Sequence, residues 1–372
     1  MRVITEIWEA NNILKLLNFI HQNPDWEELI FKPPYHIHTK RKGSCVLFKY
    51  TQRGLDCTSD FNIELVRECR GIILDETDNY KPVCVPFFKF ANYGEPYADD
   101  IDWPSAKIVE KIDGSLIKVW YHNSKWRVST NGNIDASDAI VGSGGVSYFD
   151  VFEEAIIKSN FDYDKLNPSY TYLFELISPK TQVVIPHTET KLYHIGTRNN
   201  ITLQEVDVCI DAKKPKMYPL DSIEKVVKAT EELSQYHEGF VVVDKFYHRI
   251  KVKSPLYIKL YCTLGDCTTD RNIIDIIRSS EVDEVLNYFP EHTPIFAEIR
   301  KKLGEFIEYN EREIEIIKAV NYPNRKELAE RVSKTICSSL IFSVLDGKSG
   351  SAGEFVSGMP VDSLLRHLRV AK

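Results

Sequence analysis

The apolar pattern of this chain changes once, near residue 270, and that change limits the fold more than any other feature. Before it, short runs alternate between apolar and polar positions, or are wholly apolar between turn residues, as strands are. Such runs cover residues 45–50, 116–121, 126–130, 171–177, 183–185, 192–195 and 238–244, with another after Gly71 and one carrying Lys251 and Lys253. The run at 116–121 alternates around Lys118 and Trp120, which predicts a half-buried strand. Helical spacing in this part is read at residues 4–20 and 149–159. From Asn272 onward strand signals fade. Ile273, Ile276, Ile277, Leu303, Phe306, Ile307, Ile314, Ile317, Val320 and Leu340 are among the residues that recur three or four positions apart. Residues 347–353 read as a loop and 361–370 as a last helix. The chain is therefore expected to be α+β, with strands and flanking helices over residues 1–265 and an all-helical C-terminal domain over 266–372.

Several charged residues lie inside or beside these strands, where a charge is costly without a partner. Lys111 precedes Ile112, Asp113, Gly114 and Ser115. Asp113-Gly114 marks a turn, in which the aspartate can bond its own backbone. A lysine there can be held against a phosphate by backbone N–H groups, and its neutral amine is a nucleophile. Alone, the stretch reads first as an ordinary hairpin with a surface lysine. Arg67 and Arg70 precede Gly71, and their planar forks suit phosphate, carboxylate or a surface ion pair. Residues 86–93 set aromatics around Lys89 and Asn92, as a stacking platform or a core edge would. Glu175 interrupts an apolar strand, and Glu238 heads another. Lys251 and Lys253 share one face of a strand, which suits an anion between them or a solvated edge. The glycines of 141–147 lack the Lys-Ser/Thr of a P-loop.

Composition removes other classes. The net charge of −7 excludes a bulk polycation, so any nucleic acid must meet a local basic surface. The eight cysteines include no Cys-x-x-Cys pair, which disfavours zinc and redox chemistry and suits reduced thiols inside a cell. The N-terminus lacks the apolar core of a signal peptide, and no run is long enough to span a bilayer. A cytoplasmic monomer without membrane contact is expected.

Taken in order, Glu68-Cys-Arg-Gly-Ile72, Lys111-Ile-Asp-Gly-Ser-Leu116, Phe174-Glu175, Glu238-Gly239 and Lys251-Val-Lys-Ser-Pro-Leu-Tyr257 resemble the covalent nucleotidyltransferases, the superfamily of ATP-dependent ligases and capping enzymes. Within it the chain most resembles the phage-type, T4-like RNA ligase 1 family. The resemblance implies a nucleotidyltransferase domain of antiparallel sheets, with ATP and Mg²⁺ or Mn²⁺ as cofactors. It implies single-stranded RNA or nicked tRNA as partner. It implies that Lys111 takes AMP from ATP, passes it to an RNA 5′-phosphate, and that a 3′-hydroxyl then displaces it. Lys251 and Lys253 would assist catalysis. Tyr50, Arg70, Lys89, Gly114, Glu175, Glu238 and Gly239 would bind the nucleotide or RNA phosphates, with Gly114 allowing close backbone approach. Glu175, Glu238 and, through a looser match, Asp283 or Glu284 would serve metal ions. One departure stands out: relatives often carry a basic residue in the strand after the nucleophile, where this chain has Ser129-Thr130-Asn131. A DNA ligase, a capping guanylyltransferase and a catalytically inactive RNA-binding relative are the alternatives. Glu238→Ala is expected to lose activity with little loss of folding, and the C-terminal helices to tune which RNA is sealed.

Overall fold

The structure is a computed structural model that describes residues 14–51, 59–141, 145–159, 161–263, 269–279, 282–288, 290–320 and 322–370. Four strands open it: β1 (Ile37–Lys42), β2 (Cys45–Tyr50), β3 (Arg70–Asp75) and β4 (Lys81–Cys84), paired in that order and antiparallel. Successive side chains of a strand point to opposite faces. Val46, Phe48, Tyr50, Ile72 and Leu74 pack on one side with Leu16, Ile20, Trp26 and Ile30 of the helices Lys15–Gln22 and Trp26–Phe31. Cys45, Leu47, Ile73 and Cys84 pack on the other with Trp120. Both faces are therefore buried. The part of the N-terminal helix expected over residues 4–13 lies outside the described residues.

Glu68 is spent on this packing. Its carboxylate accepts the backbone N–H groups of Lys15 and Leu16 at 2.9 and 2.8 Å, closing the start of the first described helix, and burial pushes it up to about 7.

Next come β5 (Lys107–Lys111), β6 (Ser115–His122), β7 (Lys125–Thr130), the short hairpin β8 (Ile140–Val141) and β9 (Val146–Ser147), β10 (Tyr170–Ile177), β11 (Lys191–Asn199), β12 (Met217–Tyr218), β13 (Gly239–Val243) and β14 (Arg249–Lys253). They form two further antiparallel sheets, β11-β10-β6-β7 and β12-β5-β13-β14, and the β8-β9 pair. In the first of these, Ile117, Val119, Phe174 and Leu176 pack with Val151, Phe152 and Ala155 of the helix Tyr148–Ile157. Its other face carries Lys118 and Trp120 toward the opening sheet. The strand 116–121 is thus buried on both faces at its centre, not half-buried, because a second sheet covers the side that the polar residue was expected to expose. In the second, Ile108, Phe240, Val242, Ile250 and Val252 pack with Val226 of the helix Ile223–Glu231. That leaves Lys111, Lys251 and Lys253 on the opposite face.

Residues 183–185 form no strand. Their backbone N–H groups are instead bound by a distant carboxylate, described below.

Contacts divide the chain into two units, Met1–Tyr50 with Asp60–Leu260, and Thr51–Ser59 with Tyr261–Lys372. Among the described residues the second unit is helical. Its longest helix, Thr293–Lys318, buries Phe296, Ile299, Leu303, Phe306, Ile307, Ile314 and Ile317 along one stripe, against the helices Asp270–Ser279, Ser338–Leu345, Ala352–Gly358 and Val361–Val370. Val320 falls two residues past that helix and is exposed. The loop expected over 347–353 ends early, since Ser351 caps a helix that starts at Ala352 by accepting the N–H of Glu354. No helix among the described residues is long and apolar enough to cross a membrane.

Candidate active site

Lys111 ends β5, and the chain turns through Asp113-Gly114 into β6, leaving one sheet for the next. The turn is not fastened by its own backbone. Asp113 Oδ2 accepts the N–H groups of Val184 and Ile185 at 3.0 and 2.6 Å, and Oδ1 accepts the Tyr257 hydroxyl at 2.9 Å. Its carbonyl lies 2.7 Å from His187 Nε2. The buried carboxylate thus ties two segments, far apart in sequence, to the residue two positions after the lysine. Gly114 is required by crowding of another kind than expected. A Cβ there would meet Leu176 O at 2.6 Å and Glu175 Cγ at 3.0 Å, so the close approach is to β10.

In register, Lys111 stands opposite Gly239 of β13, and Gly239 stands opposite Lys253 of β14. Gly239 has φ +142°, and a Cβ on it would lie 2.2 Å from Val252 O. The glycine lets the two lysine strands close on one point. Glu238, just before it, occupies that point. Its Oε2 is 2.7 Å from Lys111 Nζ and its Oε1 is 3.8 Å from Lys253 Nζ, with side-chain exposures of 6% for Glu238, 21% for Lys111 and 13% for Lys253.

Glu175 enters from β10. Burial pushes its carboxyl up to about 7; Glu238 and Asp113 push the same way, and the charges of Lys111 and Arg70 pull it back. The folded protein therefore holds this proton more tightly than the unfolded chain does, and stability falls as pH rises from the ordinary value of 4.5 to about 7. Glu175→Gln removes that cost. Thermal melts should show the variant about 2 kcal/mol more stable than the parent near pH ~8 and no more stable near pH ~4. A variant weaker by the same amount at both pH values would show that the carboxylate is held by partners instead.

Arg70 begins β3, beside the Tyr50 hydroxyl, with its guanidinium 5.6 Å from the centre of the Phe90 ring. Its Nη1 is buried without a hydrogen-bond acceptor among the described residues. Lys251 Nζ lies 5.5 Å from the same Phe90 ring, and Lys89 Nζ lies 5.4 Å from that of Tyr50. Residues 91–93 run along β14, where Lys251 N donates to Ala91 O and Tyr93 N to Lys251 O. The aromatic segment is therefore an added sheet edge that carries Phe90 between Arg70 and Lys251. Beside Lys111 opens a cleft of about 310 Å³, lined by Glu110, Ile112, Ile185, Tyr193 and Tyr236 among others.

Of the residues expected at the site, Lys111, Glu238, Gly239 and Lys253 come together directly. Glu175 and Arg70 act on the same charges, and Arg70, Tyr50, Lys89 and Lys251 share two aromatic rings. Asp283 is exposed on the helix Val282–Tyr288 of the second unit, and the side chain of Glu284 lies outside the described residues. Among the described residues no three Asp, Glu, His or Cys side chains are grouped to hold a metal ion. Sequence reasoning missed Asp113 as a brace and Lys118 as a buried cation. An ionisable residue between strand residues was the available signal for Lys118.

A second arrangement in the first unit is inert. Cys45 Sγ is 3.7 Å from His122 Nδ1, and His122 Nε2 is 2.7 Å from Asp75 Oδ2. The order is that of a nucleophilic relay, but burial and Asp75 push the thiol up to about 11, so no thiolate is available at neutral pH.

In this α+β protein of antiparallel sheets, Lys111, Lys253 and the Glu238 carboxylate meet at neighbouring strand ends. Residues 68–257 match the RNA ligase family, and the chain belongs to it. It is similar to the RNA ligase of Rhodothermus phage RM378, 27% identical over 84% of this chain and 87% of that protein. It is 28% identical to a putative bifunctional polynucleotide kinase/RNA ligase of Autographa californica nuclear polyhedrosis virus, over 61% of this chain and 35% of that one. Among solved structures, an archaeal ATP-dependent RNA ligase overlaps 85% of this chain and 88% of its own, with a TM-score of 0.45 and 14% identity. The family matched is that of RNA ligases.

Proposed function

We propose that this chain joins the 5′-phosphate and 3′-hydroxyl ends of single-stranded RNA, at the expense of ATP, through an AMP carried on Lys111. The observation that carries the reading is the Lys111 amine, 2.7 Å from Glu238 and opposite Gly239 where Lys253 also converges. The amine attacks the α-phosphorus of ATP. A nitrogen–phosphorus bond forms, the bond to pyrophosphate breaks, and Glu238 stands within reach of the proton the amine must lose. An oxygen of the RNA 5′-phosphate then attacks the same phosphorus and frees the lysine. Last, the 3′-hydroxyl attacks the activated 5′-phosphate and AMP leaves.

The cleft beside Lys111 has the volume of a small-ligand site, and the rings of Tyr193 and Tyr236 offer apolar walls to a base. The buried Nη1 of Arg70 is a donor awaiting an anionic oxygen. Lys251 and Lys253 add positive charge where the phosphates would lie, and Lys89 with Tyr50 borders the same side. Glu175 and Glu238 are hard oxygen ligands. Together with phosphate oxygens and water they suit Mg²⁺ or Mn²⁺, which needs only one or two protein carboxylates. Such an ion would neutralise charge on the transferring phosphate. Cys45, Cys69, Cys84, Cys209 and Cys337 are free thiols, which supports a cytoplasmic setting. Broken tRNA is the proposed substrate, and the helical unit the proposed seat of substrate choice.

Labelled ATP and labelled GTP, each offered with Mg²⁺, test the reading together with RNA and DNA strands bearing 5′-phosphates. ATP alone should label the protein, and RNA should be sealed in preference to DNA. Exhaustive chelation should stop both steps. Labelling by GTP in place of ATP, or sealing that survives chelation, would overturn it.

A further inference from the structure

Lys118 is fully buried at the centre of β6, on the face turned toward the opening sheet, with Trp120 two residues on and Ser129 and Leu173 as its register partners. Its ammonium donates to the carbonyl of Gly71. The charged and titratable groups acting on it are Cys84 of β4, Arg70 of β3 and Lys49 of β2, and none is a carboxylate. Packing alone does not call for a cation there, because a buried charge without a counter-ion is costly and a methionine fills similar space without that cost.

What Lys118 grips is a defect in the sheet. The pairing of β2 with β3 runs Phe48 with Ile72 and then Lys49 with Arg70, so Gly71 is an extra residue, with φ +78°. Where its Cβ would be, Asn131 O lies at 2.5 Å, Asn131 Oδ1 at 2.9 Å and Lys118 Nζ at 3.0 Å. A bulge of this kind re-aims the side chain beside it. Beside it stands Arg70, whose Nη1 lacks an acceptor and whose charge acts on Glu175.

We propose that Lys118 is a positioning residue: by holding the Gly71 bulge from across the sheets, it aims the Arg70 guanidinium at a phosphate of the substrate bound over Lys111. This rests on the ligase reading given above. Lys118 itself touches no substrate, being buried. Burial and the charges of Arg70 and Lys49 hold its ammonium down to about 8, as expected of a cation kept in place against its surroundings.

The test is a double-mutant cycle of Lys118→Met and Arg70→Ala, with ATP binding, lysyl-AMP formation and sealing of pre-adenylated RNA measured separately. Lys118→Met should melt no lower than the parent, yet slow the step that Arg70→Ala slows by about 10-fold or more, and should cost nothing further in the Arg70→Ala background. Additive losses, or an unslowed step in folded Lys118→Met, would overturn the proposal. Should Lys118→Met not fold, Lys118→Gln, which keeps a donor for Gly71, is read by the same cycle. Failure of the parent protein itself to form an adduct would instead count against the ligase reading, and ATP binding across the cycle would still report on Lys118 and Arg70.

Discussion

Lys111→Ala is expected to abolish AMP transfer to the protein and to lower sealing from ATP on the order of a million-fold, the scale on which loss of a covalent nucleophile acts. Sealing of an RNA already carrying 5′-AMP should survive in the same variant, because on this account the third step needs no amine at this position. The contrast separates a nucleophile from a phosphate-binding lysine, whose loss would slow both reactions. The fold should tolerate the change. Lys111 sits at a strand end with 21% of its side chain exposed, and Glu238 keeps Lys253 as a partner at 3.8 Å. Equal losses with ATP and with pre-adenylated RNA would assign the nucleophile elsewhere.

Glu238→Ala carries the second large effect, and it has two parts. Adenylylation should fall by roughly a hundred- to a thousand-fold if the carboxylate that holds the amine also takes its proton. Stability falls as well. Glu238 bridges two lysines with 6% of its side chain exposed, and removing one partner of a buried pair leaves the other charges uncompensated. We expect a loss of about 2–3 kcal/mol in denaturant melts. The sequence alone, with Glu238 facing the pocket, leads to the opposite expectation of little loss of folding, and the melts decide between the two. Glu238→Gln keeps the shape and a hydrogen-bond acceptor. It should recover part of the stability but little of the activity, and recovery of both would mean that the charge is not needed.

Much of the scaffold was readable because its signals are local. The apolar runs of 45–50 and 238–244 and the alternation along 126–130 are properties of each strand alone, and so is the shared face of Lys251 and Lys253. The turn after Lys111 announced itself through Asp113-Gly114. The residues that were misread act at a distance. Asp113 is satisfied by Val184, Ile185 and Tyr257, over 70 positions away, and those same bonds hold residues 183–185 out of any strand. That Gly239 stands opposite both Lys111 and Lys253 depends on the register of three strands distant in sequence. Lys118 looked like the solvent side of a strand because nothing local says that a second sheet covers it.

Peptide mapping of the protein after incubation with α-labelled ATP and Mg²⁺, with no RNA present, tests the central claim. An acid-labile AMP phosphoramidate on the peptide that contains Lys111, and on no other, is the expected result. AMP on a different residue, or a folded protein that binds ATP yet carries no adduct, contradicts it.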